Sequence, residues 1–333
     1  MDLSATYLGL SLSNPLIASP SPLSRTVAGV RRLADAGVGA VVLPSLFEED
    51  ILEAERREGL LLEQGVDVFP ESLSYFPDTA APGSSPDAYL RLIERAARAV
   101  EIPVLASLNA ANLEGWSGLA RAMGEAGAAA IELNFYQLPA EPEVTAPVVE
   151  ARLLEALQAA KAAAQVPVAV KLVPYFSSLA EMATRLDRAG ADGLILFNRW
   201  LQPDIDPETR RALPGVGLSA PIDGRLPRLW IALLAGRVRA SLAGSSGVDT
   251  AQDVVRYLMA GADAVMTTSA LLRHGPDHAG SLLEGLRGWM TDHRLERLQD
   301  FHARAVSPGR PAELRSAYVE ALRLANSRDL APW

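Results

Sequence analysis

The sequence predicts an α/β fold in which eight parallel strands alternate with helices and close into a (β/α)8 TIM barrel. Three observations lead there. A unit that opens on Ala-Gly and runs into a short apolar stretch recurs at residues 36–43, 126–133, 189–196 and 260–267. In each copy the glycine ends a helix without a Cβ penalty, and an apolar run without alternation suits a strand buried on both faces. Helix, turn and strand repeated along one chain call for parallel strands with helical crossovers. The third observation is the count. Strands centre near residues 17, 42, 105, 132, 170, 195, 241 and 265, more consecutive units than an open doubly wound sheet needs.

Residues 5–12 alternate around Gly9 and read as a small N-terminal hairpin under the barrel, followed by a first strand at 16–18. A helix over 26–36 leads to strand 40–43. Residues 44–86, broken by Pro70, Pro77 and Pro82, read as irregular, and so long an insertion after a barrel strand reads as an active-site lid. Helix 87–100 gathers Tyr89, Ile93, Ala96, Ala97 and Val100 on one face. Strand 103–108, helix 113–126 and strand 130–135 come next, then a second loop over 136–147. Helix 148–164, strand 168–172, helix 178–189 and strand 194–197 continue the alternation. A third long loop covers 199–224, before helix 226–235, strand 239–243, helix 250–260 and strand 264–267. Helices 277–292 and 312–325 finish the chain, which reads as one domain over 1–333 with a barrel core at 14–292 and a C-terminal helical extension over 293–333.

Apolar residues make up 49% and charged residues 21% of the 333, enough to build a sizeable core. A net charge of −9 sets the chain against non-specific nucleic-acid binding. With no cysteine there is no disulfide, no thiolate nucleophile and no cysteine-ligated cluster or zinc. Residues 1–23 carry neither a basic n-region nor an apolar h-region. No window approaches the roughly 18 apolar residues of a membrane span. The expectation is a cytoplasmic protein without membrane contact, and a homodimer is compatible with the sequence.

The polar residues that leave the strands are Ser19, Ser45, Ser107, Asn109, Asn134, Lys171 and Asn198, with the runs Gly244-Ser245-Ser246-Gly247 and Thr267-Thr268-Ser269. In a barrel these share the rim where chemistry is done. Any one of them also fits a loop group that caps a helix. Lys171 is different, because it ends an apolar strand and an interior ammonium needs an anion or dipole partner. The strand residue Glu132 reads as a partner for Lys171 or for a neighbouring strand's polar group rather than as a catalyst. The glycine-serine run is dense in backbone amides, and Asp249 or Thr250 caps the helix after it. Loops after the seventh and eighth strands are where barrels build phosphate sites, so a phosphate-bearing ligand is expected. His274, His278, His293 and His302 fall in the late helical region and read as surface residues, so no metal site is expected.

The run Val170-Lys171-Leu172-Val173-Pro174-Tyr175-Phe176 resembles a segment of the dihydroorotate dehydrogenase family, and Glu132-Leu133-Asn134 resembles that family's strand before its catalytic loop. Residues 244–248, with Gln252-Asp253 and Ala260-Gly261-Ala262, are similar to its second phosphate-loop block, and Asn14-Pro15-Leu16 and Ser269-Ala270-Leu271 match at the ends. The resemblance spans about residues 3–290 and implies FMN as the ligand. It implies that the phosphate lies on the amides of Ser246, Gly247, Thr268 and Ser269, with Lys171 near flavin N1 and O2. Ser45 and Asn109 would reach the ring edge, Ala18 and Ser19 its face, and Asn134 and Asn198 the flavin or substrate. The implied activity is oxidation at the CH–CH group of a small substrate, with hydride transfer to flavin N5. Electrons would leave to a soluble acceptor or a separate redox subunit.

The substrate half departs from that pattern. Where the family places a cysteine or serine base, this chain has Gln137, whose amide takes no proton; the adjacent Tyr136 could, although an ordinary phenol titrates near 10. Pro44 stands where a lysine is usual, and 71–74 read Glu-Ser-Leu-Ser where an asparagine-bearing substrate loop would lie. The catalytic set is therefore read as Lys171, Asn134, Tyr136 and Gln137. The missing base leaves open a flavin-binding electron-transfer or accessory protein. An aldolase-type barrel using Lys171 as a Schiff base is the third reading.

Overall fold

The computed structural model describes residues 1–49, 85–109, 112–200, 202–213, 215, 217–301 and 311–326. The stretch read as a lid lies mostly outside the described residues, as do residues 71–74.

The chain enters through an antiparallel hairpin of β1 (Ala5–Tyr7) and β2 (Leu10–Leu12), in which Ala5 faces Leu12. Leu8 and Gly9 turn it at φ 55° and 75°, the doubly positive geometry that suits the twist of two-residue hairpins. Then come β3 (Leu16–Ala18), α1 (Val27–Asp35) and β4 (Ala40–Phe47). They are followed by α2 (Pro86–Ala99), β5 (Val104–Asn109), α3 (Leu113–Glu125) and β6 (Ala130–Asn134). The alternation continues through α4 (Ala146–Ala163), β7 (Val168–Leu172), α5 (Leu179–Arg188) and β8 (Gly193–Leu196). An exposed hairpin, β9 (Asp204–Asp206) and β10 (Arg211–Leu213), interrupts it. It resumes with α6 (Arg225–Leu234), β11 (Ser241–Ser245), α7 (Ala251–Met259) and β12 (Ala264–Thr267). Then α8 (Ser269–His274), α9 (His278–Asp292) and α10 (Pro311–Asn326) follow. Strands β3 to β8, β11 and β12 form a closed barrel, with β12 pairing in parallel with β3 to shut it.

Local chemistry places the element ends. The glycine of each repeated unit, Gly37, Gly127, Gly190 and Gly261, sits at φ between 94° and 100°, the left-handed C′ position that glycine occupies without strain. Thr26 and Asn112 cap their helices by accepting from the amides of Gly29 and Gly115 at 3.1 and 2.8 Å. Thr250 and Asp253 form a reciprocal capping box on α7.

Two shells of apolar packing surround the strands. Outward residues meet the helices, while the interior mixes large residues, Ile17, Val42, Leu105, Ile195 and Met266, with the small Ala40, Ala130, Ala169, Ala243 and Ala264. The space these alanines leave is filled from below by Tyr7, Leu8 and Leu12 of the hairpin. A Cβ on Gly193 would meet Leu8 at 2.4 Å, so that glycine makes room for the plug.

Some boundaries differ from those the sequence suggests. The second barrel strand runs on to Phe47, with a register shift between Val42 and Ser45 around Pro44, a residue with no N–H for the ladder. The seventh begins at Ser241, because Asp187 Oδ1 takes the amides of Arg239 and Ala240 at 2.9 and 2.8 Å and holds them out of the sheet. The third long loop contains the β9–β10 hairpin. No described helix is long and apolar enough to cross a membrane.

Candidate functional site

At the C-terminal rim of the barrel a cleft of about 280 Å3 is lined by Ser19, Lys171, Asn198, Ser246, Thr268 and Ser269 together with Arg199 and Ser219. Six residues named from the sequence thus share one wall. Lys171, only 6% exposed, extends from β7 to Glu132 Oε1 at 3.0 Å, and Glu132 on β6 is fully buried. The pairing follows from register: Lys171 lies opposite Asn134, two residues beyond Glu132 and on the same strand face. An ammonium carries three donors. Glu132 takes one, and the other two have no acceptor among the described residues, in a side chain that lines the cleft.

A row of hydrogen bonds runs around the rim beside it. Asn198 Nδ2 donates to Asn134 Oδ1 at 2.6 Å, Asn134 Nδ2 donates to Ser45 Oγ at 3.1 Å, and Ser45 and Ser107 share a bond of 2.7 Å. Tyr89 closes the row from α2, accepting from Ser107 N at 2.9 Å and donating to Ser107 O at 3.2 Å. Ala18 is buried under this rim, and the hydroxyl of Ser19 is buried with no hydrogen-bond partner.

Tyr257 on α7 anchors the turn after β11. Its phenol donates to the carbonyls of Ser245 and Ser246 at 2.9 and 2.6 Å. A Cβ on Gly244 would meet its ring at 2.1 Å. Burial pushes that phenol well above its ordinary value, with the Arg228 cation working the other way, so it stays a donor. Held by these bonds, Ser246 takes φ 77° and Gly247 φ 65°. For a serine this left-handed geometry costs about 1–3 kcal/mol, which the surrounding contacts must supply. A Cβ on Gly247 would strike the Gly224 backbone nitrogen at 2.4 Å.

Sequence reasoning missed Ser219. Its hydroxyl accepts from Gly247 N at 3.1 Å and donates to Ser269 Oγ at 3.0 Å, while its own amide donates to Ser269 Oγ at 2.9 Å. Arg273 fixes the segment by donating to Ser219 O at 2.6 Å. The Gly247 amide, expected from the sequence to face a phosphate, here donates to the Ser219 hydroxyl. Its donation is relayed instead, leaving the Ser269 hydroxyl proton for the cleft. No local signal in the sequence could have found Ser219, since it lies 28 and 50 residues from its two partners.

The remaining candidates fall elsewhere on the rim. Asn109, Tyr136 and Gln137 line a neighbouring cleft with Asn112, Trp116 and Arg152. Trp200 packs against Tyr136 and Tyr175 at ring-centroid distances of 4.8 and 5.0 Å. His278 Nε2 lies 2.9 Å from Asp249 O, and the described residues hold no group of three or more His, Cys, Asp or Glu that could bind a metal.

Fold and rim together define a barrel enzyme that works at the C-terminal ends of its strands. Residues 79–290 match the dihydroorotate dehydrogenase family. The chain belongs to that family of oxidoreductases. It is 26% identical over 324 residues to the catalytic subunit of dihydroorotate dehydrogenase B (NAD(+)) of Thermoplasma acidophilum, covering 92% of this chain and 99% of the relative. The corresponding catalytic subunit of Methanocella arvoryzae is 29% identical over 275 residues, covering 79% and 85%. The NAD-dependent dihydropyrimidine dehydrogenase subunit PreA of Escherichia coli K12 is 25% identical over 339 residues, covering 96% and 80%. The aldolase reading falls with this membership.

Proposed function

We propose that this chain is an FMN-dependent oxidoreductase that oxidises a CH–CH bond in a small cyclic substrate. The observation that carries the reading is the donor set of the rim cleft: Lys171, Ser19 and Ser269 line it together, and among the described residues two of the Lys171 protons and the Ser19 and Ser269 hydroxyls have no acceptor. Such a set fits a phosphorylated, electron-accepting ring better than it fits water alone. The turn at Ser246 and Gly247 and the start of α8 at Ser269 supply the phosphate end, with Ser246, Thr268 and Ser269 as its holders. Lys171 supplies a fixed positive charge at the other. FMN, when bound, would accept the substrate hydride at N5.

The chain's own residues do the rest. Lys171 would hold its cation beside the bound flavin, where a fixed positive charge favours the reduced state. Glu132 fixes that ammonium and sets its reach. Asn134 and Asn198, ordered by their mutual bond, offer amides that orient substrate over the barrel mouth. Gln137, in the place of the family's base, takes no proton, so the substrate proton passes to solvent, or to Tyr136 once its phenol has itself given up its proton. Electrons then pass to a soluble acceptor or to a separate redox subunit, in keeping with relatives described as catalytic subunits. The test is the cofactor released from purified protein, followed by anaerobic titration of the loaded enzyme with dihydroorotate and dihydrouracil. FMN on the protein and bleaching by a dihydropyrimidine support the reading. FMN without reduction by any such substrate supports an accessory role instead.

A further inference from the structure

Beside the cleft that holds Tyr136 and Gln137 lies a further cavity of about 500 Å3, between the segment after β6, the first turn of α4, the segment after β7 and Trp200. Phe135, Leu138, Val149, Val173, Tyr175 and Trp200 give it apolar walls. It borders the neighbouring cleft through Phe135 and Gln137, which line both, and its walls follow the rim residues in the chain: Phe135 follows Asn134, Val173 lies two residues after Lys171, and Trp200 lies two after Asn198. Trp200 packs between the rings of Tyr136 and Tyr175, so one wall is aromatic.

The charge inventory argues against an anionic occupant. Glu150 is the charged residue among the described lining, and Arg185 already holds its carboxylate at 2.7 Å. A carboxylate entering this space would give up hydration to the apolar walls it touches and gain no cation from the described lining. The polar exception is Gln137. Its Oε1 is buried without a partner, and the side chain lines both this cavity and the smaller one beside it. A carboxamide both donates and accepts, whichever way it is turned. An unsatisfied buried amide costs about 1–3 kcal/mol, which a ligand bearing N–H and C=O on one edge would recover.

We propose that this cavity receives an apolar, planar substituent of the substrate and that Gln137 pairs with the amide edge of the substrate ring. The substrate class is a cyclic amide with a saturated CH–CH bond that carries an aryl or alkyl group where dihydroorotate carries a carboxylate. The proposal deepens the flavin reading and rests on it. Gln137, which removes the family's base, gains a recognition role by the same substitution.

The experiment uses the FMN-loaded enzyme and three oxidised, non-turnover probes: uracil, orotate and a phenyl-substituted uracil. Dissociation constants come from perturbation of the flavin spectrum and from quenching of tryptophan fluorescence, with Trp200→Phe identifying the reporter. The phenyl compound is expected to bind roughly 10- to 100-fold tighter than uracil, the gain that burying one aromatic ring gives. Orotate is expected to bind no tighter than uracil. Val149→Phe fills the cavity and is expected to remove the phenyl preference. Gln137→Leu is expected to weaken both uracils together by roughly tenfold, the loss of about one buried hydrogen bond, and to keep the preference. Orotate binding tightest, or phenyl and uracil binding equally, overturns the proposal while leaving the flavin reading intact. A protein that holds no FMN fails the flavin reading first, and tryptophan quenching still reports whether the phenyl compound enters.

Discussion

Replacing Lys171 with methionine keeps the aliphatic stem and removes only the charge, leaving Glu132 buried without a counter-ion. The wild-type pair is separated by 3.0 Å, with side chains 8% and 0% exposed. At an effective dielectric of about 20, that separation corresponds to an attraction of about 5–6 kcal/mol. Breaking a buried pair by removing one partner costs about 3–5 kcal/mol, whereas replacing both partners with apolar groups is often neutral. Lys171→Met is therefore expected to destabilise by about 3–5 kcal/mol, and Lys171→Met with Glu132→Leu by much less. The assay is urea unfolding of wild type, both single variants and the double, run with FMN removed and again with FMN in excess, so that ligand linkage is separated from the pair itself. The cycle should return a coupling of about 3 kcal/mol. A single variant that costs under about 1 kcal/mol, or a double that costs the sum of the singles, would refute the reasoning.

Three further outcomes follow from the same structure. Tyr7 fills the barrel floor with its hydroxyl buried and unpartnered, so Tyr7→Phe should be neutral or stabilise by about 1 kcal/mol in thermal unfolding; a loss above about 2 kcal/mol would show that the hydroxyl is used. Burial, with the negative charges of Glu132 and Asp263, pushes the Tyr7 phenol well above its usual range. Its contribution is therefore complete below pH about 10 and declines above it, by about 1.4 kcal/mol per pH unit, and Tyr7→Phe should make the alkaline loss shallower by that slope. At Gly247 a side chain would meet backbone at 2.4 Å in a left-handed conformation, so Gly247→Ala should weaken FMN binding about 10- to 100-fold, read by fluorescence titration; unchanged affinity would count against the turn as a phosphate holder.

How far the sequence carried these conclusions depends on the range of the interactions. The four Ala-Gly repeats encode helix stops within a few residues, and all four glycines hold the left-handed conformation that motif demands. The Lys171–Glu132 pair was legible because both lie on interior strands, where a charge must find its opposite. The bulge at Pro44 could have been read from its missing amide, yet the extra strand length to Phe47 is fixed by pairing with β5. Ser219 was not legible, because its role exists only where two loops and a helix meet. The commitment of Gly247 N to Ser219 likewise could not be seen from a glycine-serine run. The placement of Asn109, Tyr136 and Gln137 in a separate cleft reflects the direction in which each side chain leaves its strand or loop, which spacing alone does not give.

The most direct measurement of the central claim is flavin stoichiometry. The protein is purified, denatured, and its released cofactor identified and counted, with added FMN offered to any empty fraction. One FMN per chain, held by wild type and lost more readily from Lys171→Met, is the predicted result. A colourless, folded protein that takes up no added FMN would contradict the account.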